Sequence, residues 1–378
     1  MKPLNVEICD VTLRDGEQTP GVTFTCDEKI DIARKLNEIG IEVIEAGFPS
    51  VSESEKKSVK SIVGLSLDSR ICCLARCVKS DVDAAIECDV DIVSIFFATS
   101  DLHLKIKYKK TAEEMLEQAL MMVDYATDHG LSVRFSSEDA SRTSISFLKE
   151  MYVQGAMRGA MYSSFADTVG CMTPVEMYNT VQELTKDLKN PLCIHCHNDM
   201  GCATANTISA AQAGAFQLHT TVNGIGERAG NASLEEVLVA LRMKGGVDRY
   251  DLTKLMDLSK TVEKYSGIKV PKIKAVVGEH AFAHESGIHI AALLEDRNTY
   301  EYFPPEMVGG EQHFILGKHT GRKGLLHIVN SLGYSLSDDQ INHLLQRIKE
   351  ISEGKCSITP KVLLSLIEET KKTEGNKI

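Results

Sequence analysis

The feature that most constrains this chain is a repeat. Eight times in the first two-thirds of the sequence, a short β-rich run is followed by a helical pattern. The runs are Val6–Leu13, Ile41–Gly47, Arg70–Arg76, Asp91–Ser100, Ser132–Ala140, Gly159–Gly170, Pro191–Asp199 and Ala215–Gly224. After the first, Ile30, Ala33, Leu36 and Ile39 recur at helical spacing and Gly40 predicts a stop. A polar segment from Glu53, then Asp81–Cys88, Thr111–His129, Ile145–Gln154 and Ala203–Ala213, fill later intervals. Thr173-Pro174 predicts an N-cap with proline at the first helical position, and Ser233 with Glu236 predicts a capping box. Parallel strands need crossover connections, which helices supply. Eight β/α units in about 240 residues match a closed (β/α)8 TIM barrel in count and size. A dinucleotide-binding sheet is excluded, because LRDGEQ stands where its Gly-rich phosphate turn would follow the first strand.

Past the repeat come a helical stretch, Asp251–Gly267, and a loop-rich region from Val270 to about Gly321. Helical patterns at Leu325–Leu332 and Asp338–Ile351 and a charged tail close the chain. We therefore expect a barrel over 1–265 and a C-terminal helical extension over 266–378, with no separate regulatory domain. The formal charge of −11 argues against nucleic-acid and membrane partners, which need a surplus of Lys and Arg. No apolar run reaches the ~18 residues of a membrane span, and the first residues turn charged too early for a secretory signal. Eleven scattered Cys, including the adjacent Cys72 and Cys73, read as reduced thiols. A cytoplasmic enzyme acting on small molecules is the expectation.

Barrel enzymes carry their chemistry at the C-terminal ends of the strands. Those ends hold Arg14-Asp15, Glu45, Arg76, Glu138-Asp139, Asp167-Thr168, His195, His197, Asp199 and Asn223. Side chains alternate along a strand, so His195 and His197 share a face and Cys196 takes the other. Two such imidazoles need one carboxylate and water to hold a divalent cation. Asp15, on the strand beside the eighth, is the candidate third ligand, and Asn231 a weaker oxygen donor. The rival reading is that one His satisfies a core hydrogen bond. Gly224-Ile-Gly226-Glu-Arg-Ala-Gly230 predicts a tight turn. Arg14, Arg76 and Arg134 fit carboxylate recognition, and for Arg76 a structural ion pair is an equal alternative.

Nine ordered stretches then carry a resemblance: VTLRDGEQ, ARCVKSDVDAAIEC, FATSDLH, FSSEDASRT, ADTVGCMTP, HCHNDMG, NGIGERAGNASLEE, FAHESGIH and LGKHTGR. From about Val6 to Arg322 the chain resembles the metal-dependent acyltransferases that include 2-isopropylmalate, homocitrate and citramalate synthases. The resemblance is strongest to the homocitrate synthases of methanogenic archaea, which lengthen 2-oxoglutarate toward coenzyme B. It implies condensation of acetyl-CoA with a 2-oxo acid and thioester hydrolysis, with 2-isopropylmalate and citramalate synthase as alternatives. A metal-dependent CoA lyase is more remote, because those enzymes lack the SGIH and GKHTGR extension. The resemblance places zinc, manganese or magnesium on Asp15, His195 and His197, and Arg14 on the reacting oxygen. Arg134, Ser136 and Thr168 would grip the 2-oxo acid, with Glu45 and Glu138 near the reacting carbons. Leu74 stands where lysine-pathway homocitrate synthases carry a His for the distal carboxylate. His289 and Tyr300 would form a catalytic pair reaching a neighbouring subunit's barrel, so a homodimer is expected.

Overall fold

A computed structural model describes residues 3–374. Eight strands close into a barrel in sequence order: β1 (Glu7–Asp10), β2 (Val43–Glu45), β3 (Arg70–Arg76), β4 (Ile92–Ala98), β5 (Ser132–Glu138), β6 (Tyr162–Asp167), β7 (Leu192–Cys196) and β8 (Gln217–Thr220). All neighbours are parallel, and β8 returns to β1 with His219 opposite Cys9 and Thr220 opposite Asp10. The crossovers are α1 (Cys26–Ile39), α2 (Glu53–Val63), α3 (Lys79–Cys88), α4 (Asp101–His103), α5 (Ala112–Asp128), α6 (Ile145–Met157), α7 (Pro174–Thr185) and α8 (Ala203–Ala213), and α9 (Leu234–Lys244) follows the last strand. The expected (β/α)8 architecture is present. Between β4 and α5, α4 is a single turn that runs into a π-turn at Leu104–Tyr108.

Local chemistry sets most boundaries. Thr25 and Glu28 form a capping box at the start of α1, and Gly40 ends the helix in the left-handed region at φ 95°. Ile32, Ala33, Leu36 and Ile39 are its buried apolar residues, while Ile30 lies at the edge of that face. Thr173 and Glu176 cap α7 as the Thr-Pro signal predicts. The capping box expected at Ser233 does not form. Ser233 precedes α9, but its hydroxyl donates to Glu235, and Glu236 accepts from Thr204 on α8 instead. Strands such as IVSIFFA (β4) are buried along almost their whole length, as parallel strands covered by helices must be. Among the described residues no helix is long and apolar enough to cross a membrane.

The chain divides into two compact units, 1–270 and 271–378. The first also contains α10 (Leu255–Ser266). The second is not only loop before its helices. Two short parallel strands, β9 (Ala283–His284) and β10 (His313–Phe314), accompany α11 (Gly287–Leu293), and α12 (Arg322–Ser331) and α13 (Asp338–Glu353) follow. The tail read as merely charged is a further helix, α14 (Pro360–Glu374). Its Leu363, Leu366 and Ile367 lie at i, i+3 and i+4 and join Leu325, Val329, Ile341, Leu344 and Ile348 in one buried cluster.

Candidate metal-binding active site

The site begins where β1 stops. The amide N–H groups of Arg14, Asp15 and Gly16 all donate to the Val11 carbonyl, a tight turn that brings Arg14 and Asp15 over the barrel mouth. A buried lysine braces this turn from behind. Lys29 Nζ donates to the Leu13 carbonyl at 3.2 Å and pairs with Glu17 at 2.6 Å and Glu55 at 2.7 Å. From the other side, β7 delivers His195, and His197 follows directly past its end. His195 Nε2 lies 3.2 Å from His197 Nε2 and 3.6 Å from Asp15 Oδ2. One ligand atom from each of the three residues falls within 4.8 Å of the others.

Electrostatics prepares this corner for a cation. Burial foremost lowers His195 to about 3, although Asp15 pulls the other way, and burial also lowers His197. For Asp15 burial pushes the pKa up, but the Arg14 guanidinium 2.6 Å away prevails and holds the carboxyl below its usual range. The result is an anionic carboxylate facing two neutral imidazoles, the protonation state a metal requires. Asn231 Nδ2 donates to Asp15 at 2.6 Å and to the Ile225 carbonyl at 3.0 Å. Its Oδ1 is buried without a hydrogen-bond partner among the described residues, as are both Nδ1 atoms of the His pair. The Gly-rich turn explains how Asn231 comes so near: a Cβ on Gly226 would stand 2.1 Å from its Nδ2 and 3.0 Å from Asp15 Oδ1. A carboxylate, two imidazoles and a spare amide oxygen form a donor set that suits a divalent metal.

Below this corner lies a second charged layer. Register sets Leu74 of β3, Ser94 of β4 and Arg134 of β5 side by side. Arg134 is 1% exposed. Its Nη2 pairs with Glu45, Nε donates to Ser94 at 3.1 Å, and Nη1 reaches Gln217 at 2.8 Å and His219 at 3.0 Å. The second oxygen of Glu45 takes Arg14, so the carboxylate lies between two guanidinium groups. Burial pushes the His219 imidazole well down, which keeps it neutral beside this cation.

These groups surround one cavity of about 280 Å3, which Leu74, Ser136, Glu138 and Thr168 also line. Ser136 Oγ is 3.0 Å from Ser94 Oγ, and Thr168 accepts from the Asp139 amide at 2.8 Å. Several rim residues serve structure instead. Arg76 pairs with Asp81 at 2.7 Å, Asp167 accepts from the Cys171 and Met172 amides, and Asn223 clamps Ser259 on α10. Among the lining residues that escaped the sequence reading are Ser94, His219 and Lys107, whose Nζ is 2.8 Å from both Glu138 oxygens. His219 had a signal, since it alternates with Gln217 along β8. Lys107, in an irregular segment, had none.

In the second unit, His289 of α11 stacks on Tyr300, ring centroids 4.0 Å apart and tilted by 27°. Gly287 permits the start of α11 to meet the LGKHTGR loop, because a Cβ there would stand 2.5 Å from the Gly321 nitrogen.

The HMGL-like family model matches residues 5–262, and the homocitrate synthase post-HMGL domain-like model matches 276–356. Homocitrate synthase AksA of Methanosarcina mazei is 56% identical over 99% of this chain and 93% of its own. The 2-isopropylmalate synthase of Methanocaldococcus jannaschii is 47% identical over 97% of this chain and 72% of its own. Among solved structures, the HMG-CoA lyase of Bacillus subtilis superposes with a TM-score of 0.64 at 21% identity, over 71% of this chain and 96% of that one, a likeness of fold. The chain belongs to the HMGL-like family, in the branch that carries the homocitrate synthase post-HMGL domain.

Proposed function

We propose that this enzyme condenses acetyl-CoA with a 2-oxo acid and hydrolyses the resulting thioester, with 2-oxoglutarate as acceptor and homocitrate as product. The observation that carries the reading is the convergence of Asp15, His195 and His197 over a cavity that Arg14 and Glu138 also line. Its specific form rests on the 56% identity to a homocitrate synthase.

Asp15, His195 and His197 would hold a divalent cation (zinc, manganese or magnesium), with Asn231 as a further oxygen donor, and such a cation supplies Lewis-acid polarisation of a ketone. The chain's own groups do the rest. Arg14, fixed between Glu45 and Asp15, offers N–H donors where negative charge grows on the former ketone oxygen. Ser136 and Thr168 hydroxyls orient the acceptor. The acetyl methyl loses a proton, its carbon bonds to the ketone carbon, and the ketone oxygen takes up a proton. Water then attacks the thioester, the C–S bond breaks, and CoA leaves as the thiol. In this reading His289 and Tyr300 of a second copy of the chain exchange the methyl proton, with Glu138 assisting. The apolar Leu74 wall leaves room for acceptors of several lengths, which suits stepwise elongation toward coenzyme B.

The test measures CoA release with pyruvate, 2-oxoisovalerate, 2-oxoglutarate and 2-oxoadipate in parallel. The highest kcat/KM is expected with 2-oxoglutarate. Preference for 2-oxoisovalerate would make the protein a 2-isopropylmalate synthase, and preference for pyruvate a citramalate synthase. Mixing inactive His289→Ala and Asp15→Ala variants should restore about a quarter of the activity if dimers share sites. No rescue would overturn the shared arrangement.

A further inference from the structure

The inward side chains of a (β/α)8 barrel usually form apolar layers, and a buried polar group among them needs a partner. Here a line of polar side chains runs through the barrel interior from the strand starts to the mouth. It begins where Glu7 and Arg70, the first residues of β1 and β3, pair at 2.7 Å. Arg70 also donates to the Tyr162 hydroxyl of β6 at 2.8 Å. Register sets Gln217, the first residue of β8, opposite Glu7. Gln217 is fully buried; its Nε2 donates to Glu7 at 2.7 Å, and its Oε1 accepts from Arg134 at 2.8 Å. Arg134 continues the line through Glu45 to Arg14, and Arg14 pairs with Asp15 at the candidate metal corner. The proposed reaction engages only these upper members.

Two features link the lower members to the chemistry. The Gln217 amide has a single workable orientation. A carboxylate only accepts and a guanidinium only donates, so Nε2 faces Glu7 and Oε1 faces Arg134. Glu45, in turn, is shared: Arg14 and Arg134 take opposite oxygens of this one carboxylate. Whatever else satisfies Arg134 therefore leaves more of Glu45 for Arg14. Ser94 and the neutral His219 bring no charge to Arg134, so beyond Glu45 the anion linked to it from below is Glu7. In a buried line, hydrogen bonds in series polarise one another, and the Gln217 dipole carries the Glu7 charge upward.

We propose that Gln217 and Glu7 are positioning residues for Arg14: they satisfy Arg134 from below, so that Glu45 holds the Arg14 guanidinium where the ketone oxygen gains charge. The inference rests on the proposed acyl transfer and extends its machinery to the far end of the barrel, where side chains ordinarily serve stability.

Two variants test it. Gln217→Met keeps the side-chain length and removes the bridge, whereas Glu7→Gln keeps an acceptor for Gln217 and removes the charge. Gln217→Met should lower kcat about tenfold and Glu7→Gln about threefold, with metal content and KM for both substrates unchanged. Glu7→Gln, the milder change, decides alone if Gln217→Met fails to fold. In an Arg14→Lys background Gln217→Met should cost almost nothing more, since both act through one group. A normal kcat in either folded variant, or losses that multiply fully with Arg14→Lys, would overturn the role and leave the line structural. A second readout needs no turnover. With 15N-arginine labelling, the Arg14 Nε–H, assigned by its disappearance in Arg14→Lys, should exchange with solvent more slowly in the parent protein than in either variant. If no 2-oxo acid released CoA, the acyl-transfer reading would fall while this comparison still decided the positioning, and equal exchange in all three proteins would overturn it.

Discussion

Two charged layers of the barrel differ in one respect. Around Arg134 the donors are occupied: Glu45, Ser94, Gln217 and His219 surround the guanidinium, and Glu45 is clasped from its other side by Arg14. At the mouth, Asp15, His195 and His197 face one another while, among the described residues, the Asn231 oxygen and the Nδ1 atoms of both imidazoles have no hydrogen-bond partner. A satisfied buried network holds its shape and has little left to offer a ligand. An unsatisfied one is costly until something occupies it, so the mouth is where a cation and substrate atoms gain most. The Arg134 layer acts as the rigid base on which Arg14 is aimed.

The largest effect that would sharpen this contrast is His197→Ala. We expect turnover to fall at least about a thousandfold, ~4 kcal/mol of transition-state stabilisation, with loss of bound metal and little change in unfolding. Normal metal content in the purified variant would show that the pair is not a ligand set. Next come substitutions in the saturated layer, where the main effect should be on folding. Arg134→Leu leaves Glu45 without its most buried partner and should cost roughly 3–5 kcal/mol in denaturant unfolding. The double variant Arg134→Met/Glu45→Leu should recover most of that stability but not the activity, because Arg14 loses its clamp. Equal losses in single and double variants would mean the layer is not an interlocked charge pair.

The smallest effect concerns pH. His195 is lowered to about 3 in the folded chain, so between that pH and its ordinary value near 6.5 the unfolded chain binds the extra proton. This contribution to stability is fully present above about pH 6.5 and is lost as pH falls toward 3. Unfolding midpoints measured from pH 7 down to 4 should decline, and His195→Gln should flatten the slope. A slope unchanged by that substitution would move the cause to other groups.

Much of the scaffold was legible because its signals are local. Alternation, caps and glycine stops depend on neighbours a few residues apart, and they located all eight strands. The His195/His197 pair was legible for the same reason: two residues on one strand share a face whatever surrounds them. Tertiary context overrode local signals elsewhere. Ser233 forgoes its capping box because Glu236 is taken by Thr204 from α8. The charges of α14 masked an apolar face that only packing against α12 and α13 makes apparent.

The sequence by itself determined the β/α period, the number of strands and the shared face of the two imidazoles. Closure of the barrel decided which polar side chains meet: Glu45 with Arg134 across 89 positions, and Asp15 with Asn231 across 216. It also brought Lys107 to Glu138 and set His219 beside Arg134. The reason is that side-chain direction follows from backbone repeat, which near neighbours fix. Charge neutralisation follows from strand register around a closed sheet, which exists only once the first strand has met the eighth.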